Sequence, residues 1–221
     1  MKLIIGNKAY SSWSMRGWLA VRQSGLAFEE TVVPLYQPSW ETRRMQADLA
    51  PSAGKVPMLW DGDIAVWESL AIIDHLAERA GVHLFWPRDA VARGHARAIC
   101  AEMHAGYAAL RRAHSTNYRR TFEPAPLSEA VAGDLARIEA LWARARALRA
   151  DDGPFLYGAF GAADIMFAPV VSRVLTYGLP VSAESAAYCA AVREHPFVAQ
   201  WYAEAADEPW TIEQFEQGPL Q

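Results

Sequence analysis

Apolar residues recur along this chain with two different spacings, and the change between them falls near residue 85. Before it, short apolar runs alternate with helix-spaced stretches. Lys2–Gly6 contains Leu3-Ile4-Ile5 and reads as a buried strand. Met15–Gln23 reads as a helix, with Trp18, Leu19 and Val21 inward and Gly25 as its stop. Phe28–Leu35 holds Thr31, Val32 and Val33 and reads as a second strand. Trp40–Leu49 is charged and amphipathic and predicts a helix. Ala50–Lys55, with Pro51, Ser52 and Gly54, predicts a loop. In Val56–Trp67 two apolar runs flank Asp61-Gly62, a hairpin signal. Pro57 has no N–H to give a ladder, so it starts its strand or lies at an edge. Leu70, Ile72, Ile73, Leu76 and Ala77 then have helical spacing, closed by Gly81. The order β-α-β-α-β-β-α predicts a crossover followed by an antiparallel hairpin.

After Trp86-Pro87 the pattern is helical throughout. From Val91 to Arg111 one stripe runs through Ala92, Ala96, Ile99, Cys100, Met103, Tyr107 and Leu110. Thr116–Pro126 carries two prolines and predicts a loop. Ser128 is placed to cap a long helix with Val131, Leu135, Ile138, Leu141, Trp142, Ala145 and Leu148 inward. Ala162–Leu175 is apolar on nearly all sides, as a central buried helix would be, with Pro169 inside it. Shorter helices are expected around Ser185–Arg193 and Pro196–Ala206, then a surface tail from Glu208.

Composition narrows the class. The 221 residues are 52% hydrophobic, enough for a packed core in one large domain or two small ones. A net charge of -4 gives no electrostatic reason to expect nucleic acid or an anionic membrane as partner. Cys100 and Cys189 have no metal spacing, no metal is expected, and a reduced, cytoplasmic setting fits them. No apolar run is long enough to span a bilayer.

Candidate chemistry gathers at two helix starts. Ser11-Ser12-Trp13-Ser14-Met15-Arg16 lies between the first strand and the first helix. A helix N-terminus presents unpaired N–H groups and the positive end of a dipole, which stabilise an anion, thiolates included. Ser14 is the serine best placed as cap, Ser12 offers its N–H, and Ser11 is expected to turn its side chain to a cleft. Glu68-Ser69 opens the third helix and has a second reading as an ordinary cap. Lys55 has a second reading as a solvated lysine. His104 fits a core or interdomain histidine better than a base. Arg111, Arg112, Arg119 and Arg120 read as a solvated face, able to attract an acidic substrate.

These residues resemble a known family. Val56-Pro57 is similar to the Val-Pro signature of cytosolic glutathione transferases, where the proline is cis. Glu68-Ser69 resembles their acidic-Ser pair, and Asp164 after Gly158–Ala163 resembles their helix-capping aspartate. Ser11–Arg16 resembles the serine motif of zeta-class and related bacterial members, with Trp13 where zeta enzymes carry cysteine and Gly161 where the capping motif usually has Ser or Thr. The resemblance implies a thioredoxin-like α/β domain over residues 1–82 and an all-α helical bundle over 88–221. It implies a homodimeric transferase with glutathione as co-substrate, activating the thiol for attack on an apolar electrophile in detoxification. A glutathione-dependent isomerase and a non-catalytic binding or regulatory protein are the alternatives within the fold. It further implies that Ser11, Ser12 and Ser14 compete for the sulfur, and that Trp13, Lys55, Val56, Pro57, Glu68 and Ser69 hold the tripeptide. Trp13, His104, Tyr107 and Tyr118 would line the second-substrate pocket.

Overall fold

The computed structural model describes residues 1–219; Leu220 and Gln221, the end of the expected helical domain, lie outside the described residues. The first part of the chain forms β1 (Lys2–Gly6), α1 (Ser12–Ser24), β2 (Glu29–Val33), α2 (Trp40–Arg43), β3 (Met58–Asp61), β4 (Ile64–Trp67) and α3 (Ser69–Ala80). The sheet order is β2-β1-β3-β4. β1 and β2 run parallel, with Ile4 opposite Thr31. β1 and β3 are antiparallel, with Ile4 opposite Met58. β3 and β4 make the hairpin, with Asp61 opposite Ile64, so its two-residue turn is Gly62-Asp63, one residue later than the sequence signal. Gly62 has φ 61°, the left-handed conformation such turns favour.

Side-chain alternation divides the sheet between two layers. Leu3, Ile5 and Leu59 face the main core with α1 and α3. Ile4, Val33, Met58 and Leu49 form a smaller cluster on the other face. That second face receives little helix, because α2 spans four residues and buries none of them. The helix expected over Trp40–Leu49 is shorter because Met45 and its neighbours have no apolar surface to pack on, and a short helix without packing is marginal.

The second part forms α4 (Ala90–Ala105), α5 (Ala108–Ala113), α6 (Glu129–Ala147), α7 (Ala162–Tyr177), α8 (Ala183–Glu194) and α9 (Pro196–Asp207). The stripe through Ala92, Ile99, Met103, Tyr107 and Leu110 is buried as expected, but it belongs to two helices. Tyr107 takes φ 63° and breaks the chain there. Arg111 folds back to donate to the carbonyls of Met103, His104 and Gly106, satisfying the freed end of α4. Ser128 caps α6 by accepting the N–H of Val131. In α7 every residue but Leu175 is buried, Pro169 included.

Asp164 ties the start of α7 to what precedes it. Its Oδ2 accepts the Gly161 N–H at 2.9 Å, and its Oδ1 accepts the Leu156 N–H and the Tyr188 hydroxyl, both at 3.1 Å. One continuous core then joins the sheet layer to the helices, and Arg16 of α1 donates from Nε to the Met166 carbonyl of α7 at 2.9 Å. The tail closes over the β1–α1 turn. Glu208 accepts the N–H groups of Lys8 (2.8 Å) and Ala9 (3.0 Å), and Glu216 accepts the Tyr10 hydroxyl (2.7 Å). Among the described residues no helix is long and apolar enough to cross a membrane.

Candidate active site

Two helix starts converge on one cleft of about 660 Å³. Trp13 from α1, Lys55-Val56-Pro57 before β3, Trp67 at the end of β4 and Glu68 after it form one side. Leu35, Tyr36, Gln37, Trp40, Glu41 and Arg44 form the other. The Val56-Pro57 peptide bond is cis, and among the described residues neither the N–H nor the C=O of Val56 has a backbone partner. Pro57 is buried against Gly17 of α1, where a Cβ would lie 2.7 Å from the proline Cβ. Glycine at 17 is therefore what lets the helix approach the proline this closely.

The start of α1 is built by two serines. Ser11 is the N-cap: its Oγ accepts the Ser14 N–H at 3.2 Å, and its hydroxyl donates to Ser14 Oγ at 2.8 Å. Ser14 is fully buried, and its Oγ also accepts the Gly6 N–H at 2.8 Å. This reverses the expected roles. Ser14 sits inside the first turn, below the surface, and secures the helix to β1; it is neither the cap nor available to a sulfur in the cleft. Ser12 is half-buried, and among the described residues its hydroxyl has no hydrogen bond and the N–H groups of Ser12 and Trp13 have no partner. The open N–H groups at the start of α1 are thus those of Ser12 and Trp13, and Trp13 lines the cleft.

The start of α3 is built differently. Glu68 has φ 67° and ψ 123°, a conformation that costs a non-glycine residue about 1–3 kcal/mol, and its side chain makes no cap. Among the described residues the N–H groups of Ser69, Leu70 and Ala71 have no partner. Ser69 is fully buried, with its hydroxyl only 3.8 Å from the Met166 sulfur. Glu68 instead reaches across to α4, 3.4 Å from His104 Nε2. Burial pushes the His104 imidazole below its usual pKa, Arg16 and Arg111 push the same way, and Glu68 opposes them. His104 also meets the edge of Trp13 at 5.1 Å.

The structure brings Trp13, Lys55, Val56, Pro57 and Glu68 together in the cleft wall, and it sets His104 at their border. Tyr107 and Tyr118 are corrections: neither lines this cleft. Tyr107 is buried with its hydroxyl on Glu102 at 2.7 Å, and Tyr118 is buried against Trp201 and Tyr202 with its hydroxyl toward the Met15 sulfur. Burial and these neighbours raise both phenols far above their usual pKa, so neither offers an easily ionised hydroxyl. Of the four arginines read as a solvated face, Arg112 and Arg120 are exposed, whereas Arg111 and Arg119 are half-buried and tied to main-chain carbonyls. Trp67, Tyr36 and Arg44 were not legible as cleft residues. Trp67 carried one signal, its place just before Glu68-Ser69. Among the described residues no group of His, Cys, Asp and Glu has a metal-holding arrangement.

Residues 10–79 match the family model for the glutathione S-transferase N-terminal domain, and residues 128–204 match the model for its C-terminal domain. Between them the two cover more than half of the chain, which belongs to the glutathione S-transferase family. The curated relative Protein IN2-1 of Zea mays is 26% identical over 171 residues; the match takes in 76% of this chain and 63% of the maize protein's length. Among solved structures, a glutathione transferase homolog from Burkholderia BGR1 with bound glutathione superposes with a TM-score of 0.67 at 22% identity, covering 93% of this chain and 97% of that one. The theta-class enzyme of Xanthomonas axonopodis pv. citri with glutathione bound gives 0.63 at 19% identity, covering 95% and 98%. At these identities the likeness is one of fold.

Proposed function

We propose that the cleft binds glutathione and that the protein is a glutathione transferase. The observation that carries this reading is the set of unpaired donors and acceptors around one cavity: the free peptide groups of Val56, the open N–H groups at the starts of α1 and α3, and Lys55 and Glu68 beside them. A tripeptide with two carboxylates, an amine and a thiol has a complement for each. The buried start of α3 with Ser69 suits the γ-glutamyl carboxylate, Glu68 the amine, Val56 the cysteinyl peptide as an added strand would pair, and Lys55 the glycyl carboxylate.

Ser11, Ser12 and the α1 N-terminus then serve the sulfur. A free thiol has a pKa near ~8.5, so little is ionised at neutral pH. A hydrogen bond to a charged group contributes about 1.5–3 kcal/mol, and each unit of pKa needs about 1.4 kcal/mol, so one such bond lowers the thiol by one to two units. Ser11 can give its proton to the sulfur by releasing its bond to Ser14 Oγ, while its oxygen keeps accepting the Ser14 N–H. The thiol proton leaves to solvent, the thiolate forms the new carbon–sulfur bond, and the electrophile's leaving group departs with the electron pair.

A homodimer fits the apolar edge of β4, where Ile64 (53%) and Trp67 (42%) are exposed. A cytoplasmic setting, a detoxifying role and a zeta-like class belong to the same proposal. Retention on immobilised glutathione, followed by conjugation of a generic aryl halide, tests it. Retention with turnover supports the transferase; retention without turnover would leave a binding protein; no retention would remove glutathione.

A further inference from the structure

Three arginines meet behind the cleft. Arg16 on α1 is fully buried, Arg173 on α7 is nearly so, and Arg111 on α5 is half-buried. Among the described residues none of the three forms an ion pair. Main-chain oxygens hold them: Met166 for Arg16 (2.9 Å), His114 and Pro169 for Arg173 (2.7 and 3.0 Å), and Gly106 for Arg111 (2.9 Å). Carbonyl dipoles satisfy donors but leave the net charge in place. Among the described residues Arg16 Nη1 is buried without a partner and Arg111 Nη1 has no hydrogen bond. The cluster's own repulsion, together with burial, presses the Arg16 pKa well down. Asp134 offsets part of the Arg111 charge, but its carboxylate already accepts the Leu110 N–H.

This charge lies against Trp13, a residue of the cleft wall. The guanidinium carbons of Arg16 and Arg111 lie 4.8 and 5.0 Å from the centre of the Trp13 indole, and Trp13 is a wall of the cavity beside Glu68. Unpaired guanidinium groups in a poorly solvated wall favour an incoming anion, and their planar fork matches a carboxylate. Lys55 and the α3 start already account for the two carboxylates of the tripeptide, so the remaining positive charge is left for the other reactant.

We propose that Trp13, Arg16 and Arg111 form a subsite for an anionic group of the second substrate, and that the electrophile this protein prefers carries a carboxylate. The inference rests on the reading of the cleft as a glutathione site. Arg111 would make the contact through Nη1, while Arg16 acts from behind Trp13 as a fixed charge.

The test is titration calorimetry of the full chain with glutathione and two S-conjugates of one size, bearing a para-carboxybenzyl or a para-carbamoylbenzyl group. A charge-assisted contact makes the carboxyl conjugate bind about tenfold more tightly at low salt. The preference should shrink as salt is added, fall to near unity in Arg111→Met, and largely survive in Arg111→Lys. If Arg111→Met does not fold, the parent pair and its salt dependence decide alone. Equal affinities, or a preference for the carbamoyl conjugate, in a protein that binds glutathione would overturn the anionic subsite and leave the transferase reading standing. Failure to bind glutathione and both conjugates would overturn both.

Discussion

Ser11 and Ser14 hold each other across the first turn of α1: the Ser14 N–H donates to Ser11 Oγ at 3.2 Å, and the Ser11 hydroxyl donates back to Ser14 Oγ at 2.8 Å. Ser14 also takes the buried N–H of Gly6. The pair therefore divides the work of the motif, with Ser14 joining strand to helix and Ser11, buried as well, capping the helix.

Ser14→Ala is expected to destabilise the fold by about 1–3 kcal/mol, because it removes the acceptor of the buried Gly6 N–H. Its effect on the pKa of a bound thiol should be small. Denaturant unfolding of the variant gives the first quantity; an unchanged midpoint would mean that Gly6 finds another acceptor.

Asp164→Ala is expected to cost more than a simple cap, above about 2 kcal/mol, since three donors lose one acceptor. Asp164→Asn should recover only part of this, because its amide nitrogen must face an N–H or hydroxyl donor. Thermal melts of the two variants rank them; equal stability to the parent would contradict the assignment.

Glu68 offers a test of strain. With φ 67°, Glu68→Gly is expected to be more stable than Glu68→Ala by about 1 kcal/mol, although both remove the carboxylate. Both should bind glutathione less tightly than the parent. Unfolding curves in which alanine is the more stable of the two would place Glu68 in an ordinary conformation.

Acid is expected to weaken the fold before the carboxylates titrate. Burial holds His95, His104, His114 and His195 below the usual histidine pKa. The unfolded chain then takes up protons first as pH falls through about 6.5, so stability declines from there until the lower folded-state values are passed. Asp164, pushed up to about 6 by burial, works in the other direction and returns part of the loss below that pH. The four histidines outweigh it, so the melting temperature should drop between neutral pH and about pH 5.5. A flat or rising profile would contradict their neutral burial.

Much of this fold could be read from spacing, because buried faces leave a period. β1, the β3–β4 hairpin, α3 with its Gly81 stop, and the Ser128-capped α6 all followed from it. Features set by tertiary contacts did not show. The stripe through Tyr107 and Leu110 gave no sign of the break at residue 107, since both helices bury the same side. Trp40–Leu49 had an amphipathic pattern, but only its ends, Trp40 and Leu49, pack on the sheet, and Met45 between them is exposed. In the site, short motifs located the cleft, whereas the division of roles between Ser11 and Ser14 depended on depth, which adjacent letters do not encode. Arg16 looked like any helical arginine until α7 covered it.

The central claim is that this cleft binds glutathione and ionises its thiol. The direct measurement is the ultraviolet absorbance of the thiolate of bound glutathione against pH. The expected result is a bound pKa one to two units below the free value of ~8.5, shifted back upward in Ser11→Ala while affinity is nearly kept. A bound thiol that titrates like the free one, in the parent protein, would contradict the account.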